Sequence, residues 1–196
     1  MKTVFALKNS IFNAATYIFT NYTTKEALLI DCGDIEPIVN YIEEHQLNLI
    51  GVLITHSHFD HIYGLNELNL YNPNCNVFTS RHGKEGLKNP KLNMSRYHDD
   101  IPNFIYKGEN IVTLEEGQEL ILCGEVVKVI ETPGHDWSCL TYQIGNYLFT
   151  GDSYIPNTKP QYNFPKGNKE LYQLSEERIL NFAKSEELII MPGHIC

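Results

Sequence analysis

GVLITHSHFDH, residues 51–61, joins an apolar run to a dense group of polar side chains. The overlapping run LIGVLIT, residues 49–55, has the length and the β-branched content of a buried strand. Four side chains that can bind a metal follow it at once: His56, His58, Asp60 and His61. A strand provides a rigid base for the turn that holds them, and imidazole and carboxylate groups bind borderline divalent metals. The segment therefore predicts a metal centre at the end of this strand.

Three further potential ligands occur later in the chain, each just after a predicted strand. They are His135 in TPGHDWS, Asp152 in TGDS and His194 in PGH. No cysteine lies near the first cluster, which argues against a closed structural zinc site. Open coordination positions are what catalytic metals require, so the pattern favours a catalytic centre.

The motif THSHFDH resembles the signature of the metallo-β-lactamase fold superfamily, and is most similar to that of its glyoxalase II-like hydrolases. TPGHDWS, TGDS and PGH follow in the family's order, and the resemblance spans nearly the whole chain. It implies an α/β fold, a four-layer αββα sandwich of two mixed β-sheets flanked by helices. It also implies one domain over residues 1–196.

The resemblance divides the seven candidate ligands between two divalent metal ions. One ion would be held by three histidines, His56, His58 and His135. The second would be held by Asp60, His61 and His194, with Asp152 bridging the pair. Zinc is the first expectation, and an N/O ligand set also accepts iron or manganese. A bridging hydroxide would be the nucleophile, with Asp60 orienting it as the candidate catalytic residue.

The implied activity is hydrolysis of a small thioester or ester. A thiolate leaves with little proton assistance, which suits a site whose identified groups all bind metal. The commonest β-lactamases would present Cys where this chain has Asp152, so a lactam is a poor first guess. Two alternatives stay open: a mononuclear iron persulfide dioxygenase, ligated by two histidines and Asp152, and a metal-binding protein without turnover.

Substrate-binding candidates come from SYIPNTKPQYNFPKGNKE, the segment after Asp152. Tyr154 and Lys166 are predicted to select an anionic or aromatic substrate. Glyoxalase II enzymes carry an added helical domain that helps to bind glutathione, and the sequence stops two residues after His194, so the resemblance leaves glutathione specificity open. His98 lies outside the motifs in a loop-like stretch, residues 88–110, that could overhang the metals.

Composition limits the partners. Of 196 residues, 42% are hydrophobic and 20% charged, and the net charge is -9 with no basic patch, which argues against nucleic acid. The N-terminal apolar run is too short for a signal peptide or a membrane span. The five cysteines are scattered without a CxxC pair, which is typical of reduced thiols. A cytoplasmic enzyme acting on a small molecule is expected, and its oligomeric state is not predicted.

Hydrophobic patterns outline two halves, each with strands followed by helices. In the first half, ALLIDCG is a predicted strand and Asp34 the predicted N-cap of a helix, with another short helix over residues 62–70. In the second half, Gly145-Asn146 suits a tight hairpin. Asn168 is the predicted cap of a helix over Lys169–Lys184, and four of its side chains are predicted inside: Leu171, Leu174, Ile179 and Leu180.

Overall fold

The computed structural model describes residues 1–195 and builds two β-sheets. The first sheet has six strands in sequential order: β1 (Lys2–Lys8), β2 (Ala15–Asn21), β3 (Glu26–Ile30), β4 (Asn48–Leu53), β5 (Asn76–Ser80) and β6 (Ile111–Leu114). Strands β1 to β3 pair antiparallel, and β3 to β6 pair parallel. Parallel pairing brings the carboxyl ends of β4 and its neighbours to one edge.

The second sheet has five strands, and its order is β11-β10-β9-β8-β7. Its strands are β7 (Glu119–Leu122), β8 (Glu125–Glu131), β9 (Leu140–Ile144), β10 (Tyr147–Gly151) and β11 (Ile189–Pro192). Only β10 and β11 pair parallel. Gly145 has a φ of 57° in the turn between β9 and β10, which confirms the predicted tight hairpin.

The helices cover the outer faces of the two sheets. They are α1 (Ile35–Glu44), α2 (Leu65–Tyr71), α3 (Arg81–Leu87) and α4 (Lys169–Ser185), with short 3-10 turns at Phe59–His61 and Ser95–Tyr97. Side chains of α1 and α2 pack on one face of the first sheet, and Ile179 and Ala183 of α4 pack on Leu148 of the second.

The inner faces of the sheets share one apolar core. Leu28 and Leu53 of the first sheet pack there with Val127, Leu140 and Phe149 of the second. Burial of such side chains contributes roughly 1.5–3 kcal/mol each to folding, so this interface holds the two sheets together. Helix, sheet, sheet and helix therefore form the predicted four-layer αββα sandwich.

Two features of the first half differ from the sequence prediction. Asp34 precedes α1 but does not cap it, because its carboxylate accepts hydrogen bonds from the Ser10 backbone N–H at 2.7 Å and the Tyr63 hydroxyl at 2.6 Å. Helix α3 was not predicted, since two glycines in RHGKEGL hide its helical pattern. The Ser80 hydroxyl caps it by accepting from the Gly83 N–H.

Helix α4 begins as predicted, but its buried face differs. The Asn168 side chain accepts a hydrogen bond from the Leu171 N–H at 2.9 Å, which confirms the cap. Leu171, Leu174 and Leu180 are 42%, 63% and 41% exposed, so the prediction that they lie inside was wrong. The face turned to the sheet carries Tyr172, Ser175, Ile179 and Ala183. Hydrophobic residues lie on both sides of this helix, so their spacing alone did not identify the packed face.

Within residues 1–195 no helix combines the length and the apolar character needed to cross a membrane.

Candidate metal centre

The seven candidate ligands meet at one edge of the sandwich. Four come from the segment after β4, and the others follow β8, β10 and β11. Three groups each have ligand atoms within 4.8 Å of one another: His56, His58 and His135; His56, His61 and Asp152; Asp60, His61 and His194. The first and third groups are the two ligand sets predicted from the sequence, and Asp152 lies between them.

Unpaired buried atoms test whether this cluster fits a metal. Within residues 1–195, His56 Nε2, His61 Nε2 and Asp152 Oδ1 are buried and have no hydrogen-bond partner. Burying polar atoms without partners costs roughly 1–3 kcal/mol each, so native proteins rarely leave several together. Cations would satisfy all three atoms, and the nitrogen and oxygen donors suit a transition metal. The residues therefore fit a metal centre.

Asp152 is placed to serve both ligand sets. Its Oδ2 lies 3.5 Å from His135 Nε2 and 3.2 Å from His194 Nε2, whereas its Oδ1 lies 3.6 Å from His61 Nε2. A side chain at Gly193 would collide with Asp152 Oδ1, so glycine there lets β11 pass close to the carboxylate. The strand pair β10 and β11 thus fixes Asp152 at the centre of the site.

A buried carboxylate orients His61. Its Nδ1 donates to Asp31 Oδ2 at 2.9 Å, which turns Nε2 toward the centre. Asp31 itself accepts hydrogen bonds from the Thr55 N–H and hydroxyl, both at 2.8 Å. Its φ of 59° ends β3 at Ile30, so the predicted strand ALLIDCG is shorter than expected. Such partners fix the ring and its tautomer.

Backbone carbonyls orient two more histidines. His135 Nδ1 donates to the Gln161 carbonyl at 2.7 Å, and His194 Nδ1 donates to the Phe12 carbonyl at 3.0 Å. In both residues Nε2 faces Asp152, and that of His135 also faces His58. The loop before β2 and the segment after β10 therefore set the direction of ligands that lie far away in sequence.

His58 turns its other ring nitrogen, Nδ1, toward the candidate ligands. Its Nδ1 lies 3.0 Å from His135 Nε2, and its Nε2 faces Asp136 Oδ2 at 3.8 Å. Asp136 is buried and accepts a hydrogen bond from the Ser138 N–H at 2.8 Å. Sequence reasoning missed the carboxylates Asp31 and Asp136. The sequence offered only weak indications of their role. Asp31 follows an apolar run, as the first motif does, and Asp136 is next to His135 in the sequence.

Charge is unevenly distributed among the ligands. Burial lowers the pKa of His56, and the neighbouring His61 lowers it further. Burial likewise lowers the pKa of His58, with His135 as the second cause. Both rings are therefore neutral and able to bind a metal. Burial also lowers the pKa of His61, but Asp60, Asp152 and Asp31 together outweigh it and raise the pKa to about 10. Metal binding at His61 must therefore displace a proton.

A cavity of about 460 Å³ opens beside the cluster. Its walls include His58, Asp60, His135, Asp152 and His194, together with the side chains Phe12, Phe59, Met94, His98, Ile155 and Phe164. Met94 and His98 belong to the loop over residues 88–110, so this loop does border the site. Its Asn93 carbonyl accepts from the Phe59 N–H at 2.9 Å, which ties it to the first motif.

The two predicted substrate-binding residues lie away from this cavity. Lys166 Nζ stands 4.2 Å from the ring centroid of Trp137, and Tyr154 packs with the small apolar cluster beneath α4. Neither side chain lines the cavity. From the segment after Asp152, the residues that do line the cavity include Ile155, Thr158 and Phe164.

Replacing Asp31 with Asn is expected to weaken metal binding by about 10- to 100-fold while the fold is retained. The amide replaces one accepting oxygen with a donor, and both oxygens of Asp31 accept hydrogen bonds. Asparagine tolerates the left-handed backbone of this position, so the substitution tests the carboxylate, through its charge and its hydrogen bonds, without straining the chain. Competition with a metal-indicator dye measures the affinity, and wild-type affinity in the variant would contradict the assigned role.

Comparison with known families matches residues 11–194 to the Metallo-beta-lactamase superfamily. This span covers nearly the whole chain and every candidate ligand. The chain belongs to the metallo-β-lactamase superfamily. Fold and family, as implied by THSHFDH and the three later motifs, are thus confirmed.

Known members of the superfamily include hydrolases. This chain is 29% identical to a hydroxyacylglutathione hydrolase of Pseudoalteromonas translucida over 137 residues, which are 70% of this chain and 45% of the relative. It is 30% identical to the probable polyketide biosynthesis zinc-dependent hydrolase BaeB of Bacillus velezensis over 138 residues, 70% of this chain and 53% of the relative. The matched part thus spans about half the length of these curated relatives.

Among solved structures, the BLEG-1 B3 metallo-beta-lactamase superposes with a TM-score of 0.86. The superposition covers 99% of this chain and 92% of that one, at 24% identity. At this identity the match supports the fold alone.

Proposed function

We propose that the protein is a dinuclear metal-dependent hydrolase of small thioesters or esters. The observation that carries the proposal is the position of Asp152, whose carboxylate oxygens lie within 3.6 Å of His135 in the first ligand set and of His61 and His194 in the second. His56, His58 and His135 would hold one ion, and Asp60, His61 and His194 the other. When bound, such a pair supplies a hydroxide nucleophile at neutral pH and polarises a carbonyl. Zinc is the first candidate, and iron or manganese suits the same N/O donors.

Asp60 is the residue proposed to orient the nucleophile. Its Oδ2 lies 3.5 Å from both His61 Nε2 and His194 Nε2, and the residue borders the cavity. Burial raises the pKa of this carboxyl group, which makes it a stronger hydrogen-bond acceptor than an exposed aspartate. As a ligand of the second ion, Asp60 would orient the nucleophile by accepting a hydrogen bond from it.

The leaving group favours a thioester or an activated ester over an amide. A thiol has an unperturbed pKa near 8.5, so a thiolate departs without a general acid. Every acidic or histidine side chain lining the cavity, within residues 1–195, is a proposed ligand except His98. A lactam nitrogen needs proton delivery, and this site offers little for it. The relative named for hydroxyacylglutathione, itself a thioester, supports the same reaction class.

Elemental analysis of protein purified without chelators tests the metal content, and about two ions per chain are expected. A value of one, with His61→Ala and His194→Ala variants keeping full metal, would replace the dinuclear site by a mononuclear one. That result, together with oxygen consumption on a persulfide, would favour the mononuclear iron dioxygenase. Two bound ions without turnover of any substrate would instead favour the alternative of a metal-binding protein that is not an enzyme.

Protein reconstituted separately with zinc, iron and manganese should hydrolyse acyl thioesters faster than a chromogenic cephalosporin or a nitrophenyl phosphodiester. The expected advantage in kcat/KM is at least about tenfold, or roughly 1.4 kcal/mol of transition-state stabilisation. The reaction-class assignment is wrong if the cephalosporin or the phosphodiester is preferred by that margin.

A further inference from the structure

The cavity beside the candidate metal centre lacks cationic side chains. Among residues 1–195, no lysine or arginine lines it, and its only charged side chains besides histidines are Asp60 and Asp152. Lys166 stands over Trp137 instead. A carboxylate on the substrate would therefore find only neutral polar side chains such as Thr158 and Gln161, and no cationic partner except the metals themselves. There it would compete with the reacting carbonyl, because unpaired buried charge is unfavourable.

Apolar side chains flank both ligand sets. The Phe164 ring lies with its centroid 4.9 Å from those of His58 and His135, so it forms a wall beside the first set. On the other side, Phe12 packs on Phe59 at 5.6 Å between ring centroids. The His98 ring contacts both, at 5.5 and 4.8 Å.

These two walls are fixed in place. The Phe12 carbonyl accepts from His194 Nδ1, and Phe59 begins the 3-10 turn that carries Asp60 and His61. The same segments that orient the ligands thus present the rings. Met94 and Ile155 add further apolar surface between them. Concave apolar sites of this kind gain affinity mainly by removing apolar groups from water.

We propose that the substrate is a thioester whose acyl group is apolar, preferably aromatic, and whose acyl and thiol parts carry no negative charge inside the cavity. This inference rests on the proposed function and specifies its substrate class. It predicts poor use of dicarboxylic acyl groups, and of thiols such as glutathione, whose carboxylates would find no lysine or arginine there.

Thioesters of one neutral thiol, N-acetylcysteamine, separate the effect of the acyl group. The phenylacetyl thioester should exceed the acetyl thioester in kcat/KM by at least about tenfold, and the succinyl thioester should fall below the butanoyl thioester by a similar factor. Lactoyl-N-acetylcysteamine should be used at least as well as lactoylglutathione, which differs in the thiol. Preference for the succinyl or glutathione thioester would overturn the inference.

Two matched variants test the wall. Phe164→Ala should lower the phenylacetyl-to-acetyl ratio by at least about fivefold, whereas Phe5→Ala should leave it unchanged. Phe5 is also a partly exposed ring, but it stacks on Tyr41 away from the cavity. Equal ratios in both variants would overturn the inference. Metal content is measured in each, since Phe164 contacts two proposed ligands. Lys159→Ala, beside the lining residue Thr158, should not change the use of lactoylglutathione.

A binding measurement separates this inference from the proposed reaction. The amide analogue of the phenylacetyl thioester should bind to metal-loaded protein more tightly than the amide analogue of the succinyl thioester, as measured by calorimetry. If no thioester is hydrolysed but this order of affinities holds, the proposed hydrolase function fails and the apolar cavity stands. If thioesters are hydrolysed and the order is reversed, only the substrate inference fails.

Discussion

Replacing Asp152 with Asn is expected to reduce kcat/KM by at least about a thousandfold, roughly 4 kcal/mol of transition-state stabilisation. Asparagine keeps the shape of the side chain but loses its negative charge and one of its two oxygens, so it is a much weaker bridge between two cations. In the structure Oδ1 faces His61 and Oδ2 faces His135 and His194. Metal content should fall from about two ions per chain to about one.

An exposed carboxylate provides the control for this substitution. Asp99 lies in the loop over residues 88–110 and does not line the cavity, so Asp99→Asn should keep wild-type turnover and metal content. Circular dichroism should show the same secondary structure in both variants, because Asp152 follows β10 rather than packing in the apolar core. Wild-type kcat/KM in Asp152→Asn, at two ions per chain, would exclude the bridging role.

Sequence reasoning could group the candidate ligands because their positions depend on local pattern. Each follows an apolar run that becomes a strand, and strand ends at one edge of a sandwich bring side chains together. His56 and His194 are far apart in the chain, yet their placement needed only the order of the motifs and the family's fold. The structure brings the side chains of each predicted set close together, and both sets stay predictions as metal ligands.

The partners of the ligands could not be predicted in the same way. Asp31 reaches His61 only because β3 and β4 pair in parallel with a specific register, and a left-handed residue then ends β3. Tyr154 and Lys166 were chosen for their chemistry, but which side chains of a loop point inward depends on backbone turns. The prediction that Leu174 lies inside was wrong because a helix with apolar residues on two sides does not reveal which side packs.

Removing the metals should lower the thermal stability of the protein substantially. A ligand that binds only the folded state at 1,000 times its dissociation constant adds about 4 kcal/mol to the free energy of unfolding. For a chain of this length each kcal/mol shifts Tm by roughly 2–4 °C, so chelation should lower Tm by about 8–16 °C. Without the metals, His56 Nε2 and Asp152 Oδ1 are buried without partners, which adds to the loss of stability. Calorimetry with and without chelator measures the difference, and an unchanged Tm after verified metal loss would contradict it.

The size of this difference should depend on pH, because metal binding displaces a proton from His61. Its pKa is raised to about 10 in the metal-free fold, against an unfolded value near 6.5. A raised pKa stabilises the metal-free protein fully below pH 6.5, and this contribution is lost as pH rises toward 10. The metal-loaded protein holds His61 neutral and does not lose it. The difference in the free energy of unfolding between the two forms should therefore widen from pH 6.5 to 8.5, by about 1.4 kcal/mol per pH unit for each displaced proton, and the gap in Tm should widen with it. A difference that stays constant over this range would contradict the assignment of His61 as a ligand, since a spectator histidine titrates alike in both forms.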